Sequence, residues 1–273
     1  MTWLLVDVPS VAARAFHAIQ TERVGGKRVE TIRGFFASLA RVRRQFRPLN
    51  CVFCFDGLNL LRKKEFLGYK SKPPSRSVQP DKDKKYLREQ LDVIYRVLPQ
   101  MGFSNVFKQD GYEADDQIAA VCRSHLVKRA VIFSSDQDLH QCLKDNLTKT
   151  VTQWDFKEER SEKWLIQHYE VPPFEWPQVK AIAGCRSDGI PGIRGVGEVT
   201  ACNWLNGKIG TKTTAGRKLS NPENKAIIER NLKLVTLPWE GLEIPELSQD
   251  EDTEESVQKV LRRLGIDSVK ARA

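Results

Sequence analysis

The chain has 273 residues, with 44 Lys+Arg against 35 Asp+Glu, a formal net charge of +9, 40% hydrophobic and 29% charged residues. That balance supports a buried core and excludes a disordered tail, and the length predicts one large domain or one domain with a smaller module. No run approaches the roughly 18 apolar residues of a membrane span. The start Met1–Asp7 lacks the basic flank and long apolar region of a signal peptide, which speaks against a secreted or membrane protein.

In chain order, Trp3–Val6 reads as a buried strand, followed by helical spacing through Ala12–Ala18. Ile32, Phe35, Phe36, Leu39 and Phe46 recur at helical spacing, with Arg41, Arg43, Arg44 and Arg47 mostly opposite. Residues 51–55 read as a second strand. Residues 71–82, with Pro73, Pro74 and Pro80, read as an exposed, mobile segment. An amphipathic helix over 84–98 follows, then a short strand Phe103–Phe107, a helix Asp115–Leu126 and a strand Ala130–Phe133. This alternation predicts an α/β fold, a mainly parallel central sheet with helices on both faces. From about residue 155 the pattern turns helical, so the expected division is an α/β core over 1–155 and a smaller helical lobe over 156–273.

Charge is unevenly spread. Residues 23–47 hold eight Lys/Arg against one acid, 60–90 hold ten against four, and 240–255 hold eight acids with no Lys or Arg. One basic run alone fits a solvated helix face, but several in one chain point to a polyanion partner, because each neutralised phosphate releases counterions. The acidic stretch, with Pro245, Ser248 and Gln249, reads as a surface loop. Cys51-Val52-Phe53-Cys54 has CxxC spacing inside an apolar strand, where side chains alternate between faces; buried free thiols are expected for the six cysteines, in a reducing cytoplasm.

The informative feature is where the acids fall. Asp7 ends the first apolar run, Asp56 the second, and Asp136 follows the strand at 130–133. Ligands of an open α/β sheet bind beyond the carboxyl ends of the strands, so three strands deliver an acid to one rim. Glu113, Asp115 and Asp116 open a helix after Gly111, Asp138 follows Asp136 by two, and Asp188 precedes a glycine-rich turn. Any one of them alone reads as a cap or turn residue. Together they would repel one another unless cations lie among them, and hard oxygen donors without nearby His or Cys point to Mg²⁺ or Mn²⁺ over zinc. Such ions in a basic protein fit phosphodiester hydrolysis.

A second signal is Gly192-Ile193-Arg194-Gly195-Val196-Gly197, a tight turn between helical stretches at 175–183 and 198–206. Gly192, Gly195 and Gly197 would let the backbone approach a phosphate beside Arg194, and a helix–hairpin–helix near 175–206 would grip duplex backbone without reading sequence. A plain helix-connecting loop is the alternative.

With these residues in place the chain resembles the 5′-nuclease family: flap endonucleases, bacteriophage 5′–3′ exonucleases and the N-terminal nuclease of bacterial DNA polymerase I. The motifs that carry the resemblance are Val6-Asp7 with Arg14-Ala15-Phe16, Phe55-Asp56, Tyr69-Lys70, Gly111-Tyr112-Glu113-Ala114-Asp115-Asp116, Ser135-Asp136-Gln137-Asp138 and Ser187-Asp188 with its glycine turn. They occur in family order over residues 4 to about 205, and the stand-alone phage-like form is the nearest match. The resemblance implies a PIN-like 5′-nuclease fold and two metal ions, Mg²⁺ or Mn²⁺. One would sit on Asp7, Asp56, Glu113, Asp115 and Asp116, the other on Asp136, Asp138 and Asp188. Lys70 matches the active-site lysine and Arg14 a basic residue beside it, with Asp115 the third catalytic candidate. The basic segment near 62–90, including Lys63 and Lys72, matches the helical arch that passes a 5′ single strand. Tyr69 either stacks on a base or packs internally.

This chain departs from the family pattern. Val8-Pro9 replaces a glycine, Cys185 stands where a carboxylate is usual, Gly189 replaces an asparagine, and Pro73-Pro74 replaces a basic residue. The loss at Cys185 is expected to weaken the second metal site, lowering activity or shifting it toward Mn²⁺ or toward one of exo- and endonucleolytic cutting. The resemblance implies a structure-selective 5′-nuclease acting on DNA flaps, 5′ ends or RNA primers in replication. It would be a monomer in the cytoplasm (the host's, for a phage gene), with a replication polymerase as partner. The alternatives are a weakened member that binds branched DNA without cutting it, and a metal-dependent phosphatase on small substrates.

Overall fold

Strands in this chain are apolar on both faces, and that dictates the architecture. In β1 (Thr2–Asp7), Leu4 and Val6 enter one core cluster while Trp3 and Leu5 enter the other. A strand buried on both sides belongs inside a parallel sheet covered by helices. The computed structural model describes residues 1–71, 78–244 and 246–266, without the side chains of 78–81. Lys72, Pro73, Pro74, Pro245 and the tail from 267 lie outside the described residues.

After β1 come α1 (Val8–Ala18), the hairpin β2 (Arg23–Val24) and β3 (Lys27–Arg28), α2 (Glu30–Phe46) and β4 (Asn50–Phe55). Next are α3 (Leu61–Glu65), α4 (Val78–Val97), β5 (Asn105–Lys108), α5 (Ala114–Arg123) and β6 (Arg129–Phe133). Then follow β7 (Lys144–Asp145), β8 (Thr150–Trp154), β9 (Glu159–Arg160), α6 (Glu162–Tyr169) and α7 (Trp176–Ala183). The chain continues through β10 (Gly184–Cys185), β11 (Ile190–Pro191), α8 (Glu198–Leu205), α9 (Thr214–Ser220), α10 (Pro222–Val235) and α11 (Glu254–Arg263). The main sheet runs β5-β4-β1-β6-β8-β7, parallel from β5 to β8, with β7 and β9 antiparallel to β8.

The mainly parallel sheet with helices on both faces agrees with the expectation. Helices α1, α2, α4 and α11 cover one face, around Phe35, Phe53, Ile94 and Phe133; α5 covers the other, through Ala114, Ile118 and Val121. Cys51 and Cys54 lie on opposite faces, and all six cysteines are free. The core strand β8 has no counterpart in the sequence reading, because Thr150-Val151-Thr152-Gln153-Trp154 carries only one aliphatic residue. Helix α4 starts at Val78, inside the stretch 71–82 read as an exposed segment.

Helices α6 to α9 gather around a separate cluster built on Trp176, Leu165, Val179, Ile193, Val196 and Leu219. The last segment does not join them. Val260, Leu261 and Ile266 pack into the cluster that holds Leu4, Val6 and Phe53, so residues 254–266 belong to the α/β layers and not to a lobe over 156–273. The acidic stretch leads α11 there. Asp250 accepts from the Cys51 amide at 2.6 Å and the Ser104 amide at 2.9 Å, and Asp252 pairs with Arg43 at 2.6 Å. Leu261→Ala is therefore expected to lower the unfolding free energy of the whole α/β unit by about 2–5 kcal/mol. A urea transition shifted to lower midpoint with unchanged slope is the measurement.

Candidate metal centre and nucleic-acid interface

The carboxyl ends of β1 and β4, the turn after β6, the start of α5 and the β10–β11 hairpin meet around one open cleft of about 560 Å³. Asp7, Asp56, Lys70, Glu113, Asp115, Asp136 and Asp188 line it, with Ser10, Ser135 and Ser187. Each acid has a local reason to be there. Asp7 ends β1 and caps α1, accepting from the Ser10 amide at 3.1 Å and from Ser134 Oγ at 2.6 Å. Asp56 follows β4 and accepts from the Ala114 amide at 3.0 Å. Asp136 caps a 3-10 turn at Gln137–Cys142, accepting from the Asp138 amide at 2.8 Å. The turn is held by Gln153, whose amide donates to the carbonyls of Ser134 and Asp136, and by Trp176 Nε1, which donates to the Gln137 carbonyl at 2.7 Å.

Charge divides these acids into two classes. Asp7 is buried and its partners are hydroxyl and amide groups, not cations. Burial, then the charges of Asp136 and Asp56, push its carboxyl up to about 7 against the opposing hydrogen bonds. Withdrawal from water also raises Asp56 and Asp136, and Asp115 is raised well above the usual range by burial and by repulsion from Asp116 and Glu113. Glu113 and Asp116 are instead paired. The buried Arg62 guanidinium grips Asp116 through two contacts of 2.5 and 2.7 Å and reaches Glu113 at 3.2 Å. Glu113 also accepts from Tyr69 Oη at 2.6 Å and pairs with Lys70. Asp116 accepts from the Trp239 amide at 2.7 Å and the Glu113 amide at 3.1 Å.

Two of the expected site residues have partners inside the protein. Asp116 is fully buried, and its oxygens meet Arg62 and two backbone amides, so it ties the back of the cleft to Arg62. Tyr69 is buried among Cys185, Ile190 and Leu234 and spends its hydroxyl on Glu113, an arrangement that matches the packing alternative expected for it. Lys70 lies where the motif places it. Its backbone sits at φ 48°, a left-handed conformation held by donation from its amide to the Asp188 carbonyl at 2.6 Å. Burial alone would lower its ammonium, but Glu113 and Asp188, the latter 3.6 Å away, outweigh this and keep it protonated.

Asp138 and Asp188 form a second group with Cys185, ligand atoms of all three lying within 4.8 Å of one another; Glu113, Asp115 and Asp116 form another such group. Asp138 is buried against Lys180 at 3.2 Å, and Lys180 also reaches Glu198 at 3.1 Å. The donor set fits divalent ions. Asp7, Asp56, Asp115 and Asp136 crowd one cleft with raised carboxyls, while the nearby cations are engaged by Glu113, Asp116 and Asp138.

Of the other predicted residues, Arg14 does not line the cleft; its guanidinium covers the Phe156 ring at 4.5 Å. Lys63 is exposed on α3. In the glycine turn, Ile193 and Val196 are buried while Arg194, Gly195 and Gly197 are exposed. A Cβ on Gly192 would sit 2.1 Å from the Ala183 carbonyl, so that glycine serves the packing of α7; Gly197 faces open space. Lys218 of α9 donates to the Arg194 carbonyl at 2.8 Å, adding a cation to the turn. Sequence reasoning missed Arg62, Ser134, Gln153, Lys180 and Lys218. Arg62 was hidden inside a basic run, and the others gain meaning only through long-range contacts.

Two outcomes follow. Arg62→Met leaves Asp116 and Glu113 buried beside no guanidinium and is expected to cost about 3–5 kcal/mol in urea unfolding. Arg62→Lys should recover part of it, lacking the two-pronged contact. Because Asp7 titrates higher folded than unfolded, the folded state holds its proton more tightly between the two values. Metal-free protein should therefore gain stability as pH falls from about 8 to about 5, and Asp7→Asn should flatten that rise in thermal melts.

The comparisons with known proteins agree with this geometry. The family described as 5'-3' exonuclease, N-terminal resolvase-like domain, matches residues 2–170. A 5'-3' exonuclease of Aquifex aeolicus is 31% identical over 210 residues, covering 75% of this chain and 68% of that protein. DNA polymerase I of Mycobacterium leprae is 31% identical over 74% of this chain, which spans only 22% of that longer protein. Among solved structures, the 5'-exonuclease of bacteriophage T5 with bound zinc superposes with a TM-score of 0.73 at 18% identity, covering 98% of this chain and 100% of that one. Flap endonuclease-1 from Methanococcus jannaschii gives 0.62 at 14% identity, covering 98% and 89%. The fold is thus that of the PIN-like 5′-nucleases, and the chain belongs to the 5′–3′ exonuclease family.

Proposed function

We propose that this chain is a divalent-metal-dependent, structure-selective 5′-nuclease that hydrolyses phosphodiesters at flaps and 5′ ends of DNA or RNA primers. The observation that carries the reading is the crowding of Asp7, Asp56, Asp115 and Asp136 in one cleft with no direct ion pair among the described residues, beside the Lys70 ammonium that lines the same cleft. Asp7, Asp56, Asp115 and Asp136 would hold the ions, Mg²⁺ or Mn²⁺, with Glu113 at the edge of the set and Asp138 and Asp188 in the second group. Bound ions supply an activated water and neutralise phosphate charge. Lys70, tied between Glu113 and Asp188, offers its ammonium to an incoming phosphate oxygen, and its constrained backbone fixes where that charge lies. The backbone of Gly195 and Gly197, with Arg194 and Lys218, would hold duplex phosphate away from the cut, as in a helix–hairpin–helix. Exposed Lys63 belongs, with Lys72 of the same basic run, to the segment that would guide the single strand.

Support for a replication role comes from relatives that are DNA polymerases I, and a replication polymerase is the partner this reading favours. Among the described residues no helix is long and apolar enough to cross a membrane. We further propose that it acts as a monomer in the cytoplasm.

A labelled 5′-flap duplex should be cut in Mg²⁺ or Mn²⁺ and spared in EDTA. Asp115→Asn should abolish cutting, and Lys70→Ala should lower kcat by about 10²–10³-fold, the scale for removing one charge-stabilising donor. Cys185 favours a second reading, a binding module with an impaired second metal group. Tight flap binding with no cutting in either ion would establish it instead.

A further inference from the structure

Two thiols lie side by side away from the acid cleft. Cys122 is the penultimate residue of α5, Cys142 ends the 3-10 turn at Gln137–Cys142, and their side chains are hydrogen-bond neighbours. The backbone is held at both. The Cys122 carbonyl accepts from Lys149 Nζ at 2.7 Å. Gln141, next to Cys142, donates to the Val235 carbonyl at 3.0 Å and accepts from the Leu237 amide at 2.8 Å. Both cysteines line an open cavity of about 620 Å³ that shares no lining residue with the acid cleft. Arg123, Lys144 and Lys149 line it too, against Asp145 and Glu162, so its charge favours a small anionic solute.

The two elements that meet here also carry cleft acids: α5 begins at Asp115, and the turn is capped by Asp136 and contains Asp138. We propose that Cys122 and Cys142 are a reversible dithiol–disulfide couple that tethers α5 to the turn when oxidised. The oxidant is a small anionic disulfide of the glutathione class. Cys142, as thiolate, attacks one oxidant sulfur and releases one thiolate; Cys122 then attacks the mixed disulfide at Cys142 and releases the second. One sulfur–sulfur bond forms in the protein as one breaks in the oxidant. Two electrons and the two thiol protons pass to the released thiols. A sulfur–sulfur bond of about 2.05 Å is shorter than any contact between hydrogen-bonded thiols, so closure draws the end of the turn toward α5. Displacements of that order near reacting groups slow catalysis by about 10²-fold. The effect on cutting rests on the nuclease reading; the cross-link does not.

The full chain is incubated with glutathione disulfide and mapped by mass spectrometry of unreduced peptides, and 5′-flap cutting is timed before and after. A Cys122–Cys142 cross-link should form, cutting should slow at least about tenfold, and dithiothreitol should restore it. Cys142→Ala should cut like the reduced wild type and ignore the oxidant. The cross-link should also raise the melting temperature by about 5–10 °C, and no such rise should occur in Cys142→Ala. Cysteines that stay free, stop at a mixed disulfide or pair otherwise would overturn the proposal. So would a cross-linked chain that cuts as fast as the reduced one. A reduced wild type that cuts nothing would overturn the nuclease reading instead, while the peptide map and the melting shift still decide the couple.

Discussion

A guanidinium buried under a cluster of carboxylates is the constraint on which the site depends. Arg62 is 2% exposed, and taking its charge out of water is affordable only because Asp116 meets it with two oxygens and Glu113 with a third. Its remaining donors reach the carbonyls of Leu234 and Thr236 at the end of α10. One side chain thus ties α3, the start of α5 and the end of α10 into a single corner. The front of the cleft is left free to be electrostatically unfavourable because the back is not.

That division explains why the acids are unequal despite their proximity. Glu113 and Asp116 make direct ion pairs; Asp7, Asp56, Asp115 and Asp136 are raised by burial and by neighbouring acids, against the more distant pull of cations such as Lys70 on Asp56. Similar strain is built into the backbone of Lys70, whose left-handed conformation is held by the Asp188 carbonyl. Energy spent on preorganising charge in this way is characteristic of sites that act on an anionic ligand.

Much of this was legible in the sequence, and the reasons are specific. Apolar runs ending in Asp7 and Asp56 announce both a buried parallel strand and the rim where its last side chain emerges, so the sheet and the first acids follow from the same few residues. The Glu113-Ala114-Asp115-Asp116 block could be placed at a helix start, but not divided into a carboxylate that lines the cleft and one that pairs with a guanidinium behind it. That distinction rests on Arg62, which is 54 positions away from Asp116 in the chain. Strand β8 escaped because its alternate residues, Thr150 and Thr152, are polar and its inward Gln153 serves the Asp136 turn. The return of α11 to the first layers escaped because an amphipathic helix records that it has an apolar face, not which surface covers it.

The acidic segment before α11 also solves a problem at the margin of the sheet. β5 pairs only with β4, leaving its outer row of backbone groups available to any extended peptide. Residues 248–250 occupy that margin. Asn105 exchanges hydrogen bonds of 2.9 Å with the backbone of Ser248, and Ser104 Oγ donates to the Gln249 carbonyl. At the opposite margin β7 is only two residues long, and both are charged. Pairing with a strand from another molecule is thereby obstructed at the Ser104–Asn105 end of β5 and cut to two residues at β7, in part by the segment that first read as a mere surface loop.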